Sequence, residues 1–96
     1  NANITAQYNS SESLEKAIEN QPADRKYIDD EVAGLKVKYW ENTQYGNTYD
    51  CWRTYFVQKD DTVYMINYIV YKGMPAEESK QLLADFISGL TKYDVQ

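Results

Sequence analysis

The chain has 96 residues, Lys+Arg 10 against Asp+Glu 15, a net charge of −5 and 43% hydrophobic residues. That is the composition of an ordinary globular domain with one hydrophobic core. The basic residues are scattered, with no run longer than Arg25-Lys26, so nucleic acid is excluded as a partner. Histidine is absent, which removes the commonest general base and the commonest transition-metal ligand, and the lone Cys51 can neither close an internal disulfide nor hold zinc. No metal or other cofactor is expected.

Residues 1–96 show no repeat, low-complexity segment or Pro/Gly/Ser linker, so the whole chain reads as a single α+β domain. Ile4, Ala6 and Tyr8 alternate, which predicts either a short first strand with these three on one face or a frayed terminus. Asn9, Ser10 and Ser11 offer helix caps, with Glu12 in capping-box spacing from Asn9, and predict a short N-terminal helix over about 11–20. Its apolar stripe is Leu14, Ala17 and Ile18, and Asn20, Gln21 and Pro22 end it.

From Arg25 to Tyr71 the pattern turns to β, and the recurring turn residues predict an antiparallel meander of 4–5 strands in all. Lys26 to Val32 reads as an edge strand, Ala33-Gly34 as a turn, and Leu35, Val37 and Tyr39 as one face of the next strand. A loop around Gly46 precedes a long strand from Thr48 to Gln58, which Lys59-Asp60-Asp61 joins to Thr62–Tyr71. That turn lacks glycine and predicts a four-residue type I-based loop. The nearly unbroken apolar run Val63–Tyr71 predicts a central strand covered on both sides.

Gly73-Met74-Pro75-Ala76-Glu77-Glu78 opens a C-terminal helix over about 76–90, with proline and two acids suited to a first turn. Leu82, Leu83, Phe86, Ile87 and Leu90 make a wide apolar stripe that should lie across one sheet face, giving two layers.

Ten tyrosines, Trp40, Trp52, Phe56 and Phe86 bring aromatics to 15%. Two readings compete. Tyr39, Trp40, Trp52, Tyr55 and Phe56 form an exposed binding patch, since such rings give large contact area at low entropy cost. Alternatively, the rings fill a half-exposed sheet face as cross-strand pairs. A concave pocket of about 300 Å³ or more between sheet and helix would instead mark a small-ligand site. Asp29-Asp30-Glu31 and Asp60-Asp61 lack the spacing of a calcium loop and read as solvated turns. No nucleophile elbow or phosphate loop is present, and Ser and Cys have no histidine to activate them, so no catalysis is expected.

Several segments resemble the PsbP-like α+β domains of bacterial lipoproteins and secreted proteins. They are Asn3-Ile4-Thr5-Ala6 leading into Ser13-Leu14-Glu15-Lys16-Ala17, then Val32-Ala33-Gly34-Leu35-Lys36-Val37, Val63-Tyr64-Met65-Ile66-Asn67-Tyr68 and the closing Phe86-Ile87-Ser88. The family's opening hairpin is missing. The resemblance implies a non-enzymatic accessory or partner-binding module, often membrane-tethered. A second resemblance, of Val32-Ala33-Gly34 to the Val-x-Gly loop of cystatins, implies a cysteine-protease inhibitor with Val32 and Gly34 in the inhibitory loop, although Asp30 stands where that family has glutamine. The chain opens on Asn1 without methionine and is rich in Tyr, Asn and Thr. The expectation is therefore an extracytoplasmic domain of a longer or processed precursor, secreted or anchored through a removed N-terminal segment, whose partner is another protein or a cell-surface component.

Overall fold

The computed structural model describes residues 2–42 and 48–91. The elements are β1 (Ala2–Ser10), α1 (Leu14–Glu19), β2 (Ile28–Val32), β3 (Leu35–Glu41), β4 (Tyr49–Lys59), β5 (Thr62–Tyr71) and α2 (Ala76–Ser88). The strands form one antiparallel sheet in the order β1-β5-β4-β3-β2. β2 to β5 are a meander, and β1 closes onto the last strand. The chain thus adopts the α+β fold read from its pattern, with β5 inside the sheet and β2 at an edge.

The helices lie on opposite faces, so the domain has three layers where two were expected. Strand alternation is the cause. Tyr55, Val57, Tyr64, Ile66, Tyr68 and Val70 pack with Leu83, Ile87 and Leu90 of the α2 segment. Phe56 and Val63, their neighbours in sequence, point the other way onto Leu14 and Ala17 of α1. β4 and β5 carry apolar side chains on both faces because both faces are covered. β1 does the same by a different device. Ala6 pairs with Ile66 and Tyr8 with Met65, so the bulge at Gln7 turns Tyr8 to the α1 side while Ile4 and Ala6 face α2. The single face expected for Ile4, Ala6 and Tyr8 is thereby split.

α1 starts later than its capping residues predict. Asn9 and Ser10 are held in β1 by pairing with Tyr64 and Val63, and Ser13 takes the cap, its hydroxyl accepting from the Lys16 N–H at 3.1 Å. The Leu14 N–H donates to Gln58 Oε1 at 3.1 Å, which ties the helix to β4.

In α2 the inward stripe is Ser79, Leu83 and Ile87, continued by Leu90 beyond the helix. Leu82 sits about 100° around the helix from Leu83 and is 44% exposed, which corrects its expected burial. Phe86 is equally far off the stripe, but its longer side chain packs against the core near Ile4 and Ala6. The last turn of α2 holds no basic residue. Lys59, from the end of β4, supplies the missing cation: its Nζ donates to the carbonyls of Ile87 (3.1 Å), Ser88 (2.9 Å) and Leu90 (2.7 Å).

Ala33 and Gly34 both have positive φ, 54° and 78°, the signature of a two-residue type I′ hairpin. Lys59 pairs with Thr62, so Asp60-Asp61 is likewise a two-residue turn and not the expected four-residue loop. Asp60 takes φ 56°; a short polar side chain tolerates that region nearly as glycine does. Of the loop expected before β4, all but Asn42 lies outside the described residues, and the strand expected from Thr48 begins at Tyr49.

Candidate functional site

The five aromatic positions singled out from the sequence do not form one patch. Phe56 is fully buried beneath α1. Tyr39 and Tyr55 lie on the α2 side, their rings 5.1 Å apart, with Tyr55 only 2% exposed. Trp40 and Trp52 occupy the opposite side, half-buried. That side is half open for a simple reason: six residues of α1 span about 9 Å, whereas eleven residues of β4 span about 36 Å. Tyr49 packs edge-on against Trp52 and Tyr71 there, and the Arg25 guanidinium sits 4.4 Å from the Trp40 ring. These rings behave as packed cross-strand neighbours.

A concave site exists elsewhere. Between the N-terminal half of α2, the inner face of β4 and β5, and the end of β2 lies an open cleft of about 720 Å³, well within the range of small-molecule sites. A bulge in β4 shapes it. Tyr49 pairs with Tyr71 and Cys51 with Val70, so Asp50 is the extra residue. Simple alternation would put Tyr49 on the same face as Cys51 and Arg53; the bulge sends its ring across the sheet and leaves Asp50 at the rim. The Asp50 carboxylate accepts from the Gly73 N–H at 3.3 Å and lies 3.8 Å from Lys72 Nζ, fixing the β5–α2 turn. Gly73 turns the chain with φ 94°.

The floor of the cleft is a linked set of polar groups. Glu41 and Arg53 face each other across β3 and β4, and Arg53 Nε donates to Glu41 Oε1 at 2.9 Å. Arg53 Nη1 donates to the Tyr55 hydroxyl at 2.9 Å, and the guanidinium lies 4.3 Å from the Tyr39 ring centroid. Cys51 Sγ donates weakly to Glu41 Oε2 at 3.7 Å, and the buried Ser79 of α2, whose hydroxyl donates to the Ala76 carbonyl at 2.9 Å, lines the cleft together with Tyr68. Burial works against the Arg53 charge, but the bonds to Tyr55 and Glu41 outweigh it and hold the guanidinium charged. Burial pushes the Cys51 thiol up to about 11, opposed by Arg53 and reinforced by Glu41. Burial likewise pushes the Tyr55 phenol up to about 12, against the pull of Arg53, and raises Tyr68. At neutral pH the floor therefore offers a thiol, two phenols and a locked ion pair. Val32, Val70, Met74 and Leu83 supply apolar wall, while Asp30, Glu31, Asp50 and Glu77 stand exposed at the rim.

The cleft meets the size and place set for a small-ligand site, and Tyr55 lines it, but Arg53 and Cys51 were not singled out; one signal was present, since Arg53 lies in the same alternation phase as Tyr55 and Val57, and a charged residue on an inward face needs a partner. Val32 packs against the main core, and the Ala33-Gly34 turn is tight. Among the described residues no cluster of three His, Cys, Asp or Glu is placed to hold a metal, and no helix is long and apolar enough to cross a membrane. No family model matches this chain, and neither does any curated protein or any solved structure.

Proposed function

We propose that this chain is a non-catalytic binding module of an extracytoplasmic protein, and that the cleft between α2 and the sheet is its binding site for a small amphipathic molecule. One observation carries the reading: the cleft of about 720 Å³ combines apolar walls with convergent polar groups on its floor. A non-catalytic role is supported by the state of those groups. The Cys51 thiol is held protonated, and Arg53 is held charged by Glu41 and Tyr55, so neither serves as nucleophile or base. The extracytoplasmic setting is supported by composition and by the PsbP-like resemblance. A small-molecule fragment screen by amide NMR on the intact chain tests the site. Bound fragments should shift amides of Cys51, Arg53, Ser79 and Lys80, and Ala76→Trp, which fills the mouth from an exposed position, should abolish those shifts. Fragments that shift only amides outside the cleft, or none at all, refute the reading.

A further inference from the structure

We propose that Arg53 anchors the carboxylate of a small zwitterion, a free amino acid or short peptide, whose ammonium group meets the acidic rim; this rests on the cleft being the binding site. A guanidinium carries five N–H donors. In Arg53 one is on Glu41 and one on Tyr55, which leaves one on Nη1 and both on Nη2 without an acceptor among the described residues. These donors sit on the two terminal nitrogens, from which a guanidinium can give a carboxylate two parallel bonds. Glu41, Tyr55 and the Tyr39 ring already fix the side chain, so a ligand would lose little entropy in ordering it.

The charge pattern selects the ligand. Arg53 is half-buried on the floor, whereas Asp30, Glu31, Asp50 and Glu77 are exposed around the opening, against Lys80 and the Lys72 that pairs with Asp50. A bare anion, and still more a polyphosphate, is repelled by that rim, and a simple amine leaves the Arg53 fork unused. A molecule that leads with a carboxylate and trails an ammonium complements both ends. Val32, Val70, Met74 and Leu83 give its side chain apolar contact.

The test is amide NMR titration of the intact wild-type chain with leucine and leucyl-leucine, beside leucinamide, 4-methylpentanoate and 3-methylbutylamine. Leucine or the dipeptide should shift the amides of Cys51, Arg53 and Ser79 with saturation, the stronger of the two identifying the amino-acid or peptide source. Leucinamide and 3-methylbutylamine, which lack the carboxylate, should bind at least tenfold more weakly, and 4-methylpentanoate, which lacks the ammonium, should weaken likewise. Arg53→Lys keeps the charge, loses the fork and should lower affinity about tenfold. Leucinamide binding as tightly as leucine, or Arg53→Lys binding as wild type does, overturns the role of Arg53 while leaving the cleft reading intact. Zwitterions that leave every cleft amide unmoved overturn the inference even where the fragment screen marks the cleft. The analogue comparison uses wild-type protein and does not depend on how the variant folds.

Discussion

Lys59→Met should destabilise the domain by about 2–3 kcal/mol although no core side chain changes. The three carbonyls that Lys59 caps belong to the end of α2, where the last C=O groups lack i+4 donors and the dipole is negative, and of these the Ile87 carbonyl also accepts from the Leu90 N–H at 3.2 Å. A hydrogen bond to a charged group contributes about 1.5–3 kcal/mol. Three bonds sharing one ammonium do not add, and the bond to Ser88 is exposed, so the total stays near the value of one or two. Methionine keeps the aliphatic stem and removes only the charge and donors. For a domain of this size about 1 kcal/mol moves the midpoint by about 4–8 °C, so Tm should fall by about 10–20 °C. Urea unfolding followed by the fluorescence of Trp40 and Trp52 should show a lower midpoint with an unchanged slope, and amide exchange should quicken first at Ile87 to Leu90. A loss below about 0.5 kcal/mol would show that water replaces the ammonium without cost and would refute the assignment of Lys59 as the cap of α2.

Other expectations follow from single features. The Tyr27 hydroxyl is buried without a partner among the described residues, while its ring packs edge-on against Phe56, so Tyr27→Phe should leave stability unchanged or raise it by up to about 1 kcal/mol; a clear loss in urea unfolding would expose an unseen partner. Ala33 is held at φ 54°, so Ala33→Asn should raise stability by about 0.5–1 kcal/mol, read as a higher Tm, and a lower Tm would contradict the type I′ assignment. Cys51 and Tyr55 bind their protons more tightly folded than unfolded. Their contribution is whole below about pH 9 and is lost as pH climbs from the ordinary thiol value of 9.0 toward about 11 and from the ordinary phenol value of 10.0 toward about 12. Stability measured against pH should therefore fall above pH 9, and Cys51→Ala should remove the earlier part of that fall. In the same protein iodoacetamide should modify Cys51 slowly at pH 8 and faster toward pH 11; rapid modification at pH 8 would contradict a buried, protonated thiol.

What was legible in the sequence was whatever is set within a few residues. The alternation of Leu35, Val37 and Tyr39, the turn at Ala33-Gly34 and the apolar run of β5 depend on local spacing, and each lies where local spacing puts it. Illegible features were those set by pairing with distant strands. Nothing local tells that Gln7 and Asp50 are bulges, because a bulge is a mismatch between two strands; yet these two residues decide the faces of Tyr8 and Tyr49. The aromatic patch failed on local grounds instead. Tyr39, Trp40, Trp52, Tyr55 and Phe56 cluster in sequence on adjacent strands, but their odd and even positions fall on opposite faces. The cleft needed the register between β3 and β4, which brings Glu41 to Arg53, and that register cannot be read across the loop that joins them.

The same register separates what holds the domain together from what the cleft offers. α2 is fixed at its C-terminal half, where Leu83, Ile87 and Leu90 enter the core and Lys59 caps the end. Its N-terminal half has no side-chain cap at Pro75 and meets the sheet through the buried Ser79, while Met74 before it packs on the core. Low local stability is therefore confined to the end of the helix that overhangs the cleft, where opening costs least and core contacts are fewest. Ser79→Ala, which removes the hydroxyl bond to the Ala76 carbonyl but no apolar contact, should quicken amide exchange from Ala76 to Lys80 and leave the amides of Leu83 and Ile87 at wild-type protection. Equal quickening along all of α2 would mean that the helix opens as one unit and that cleft and core are not energetically distinct.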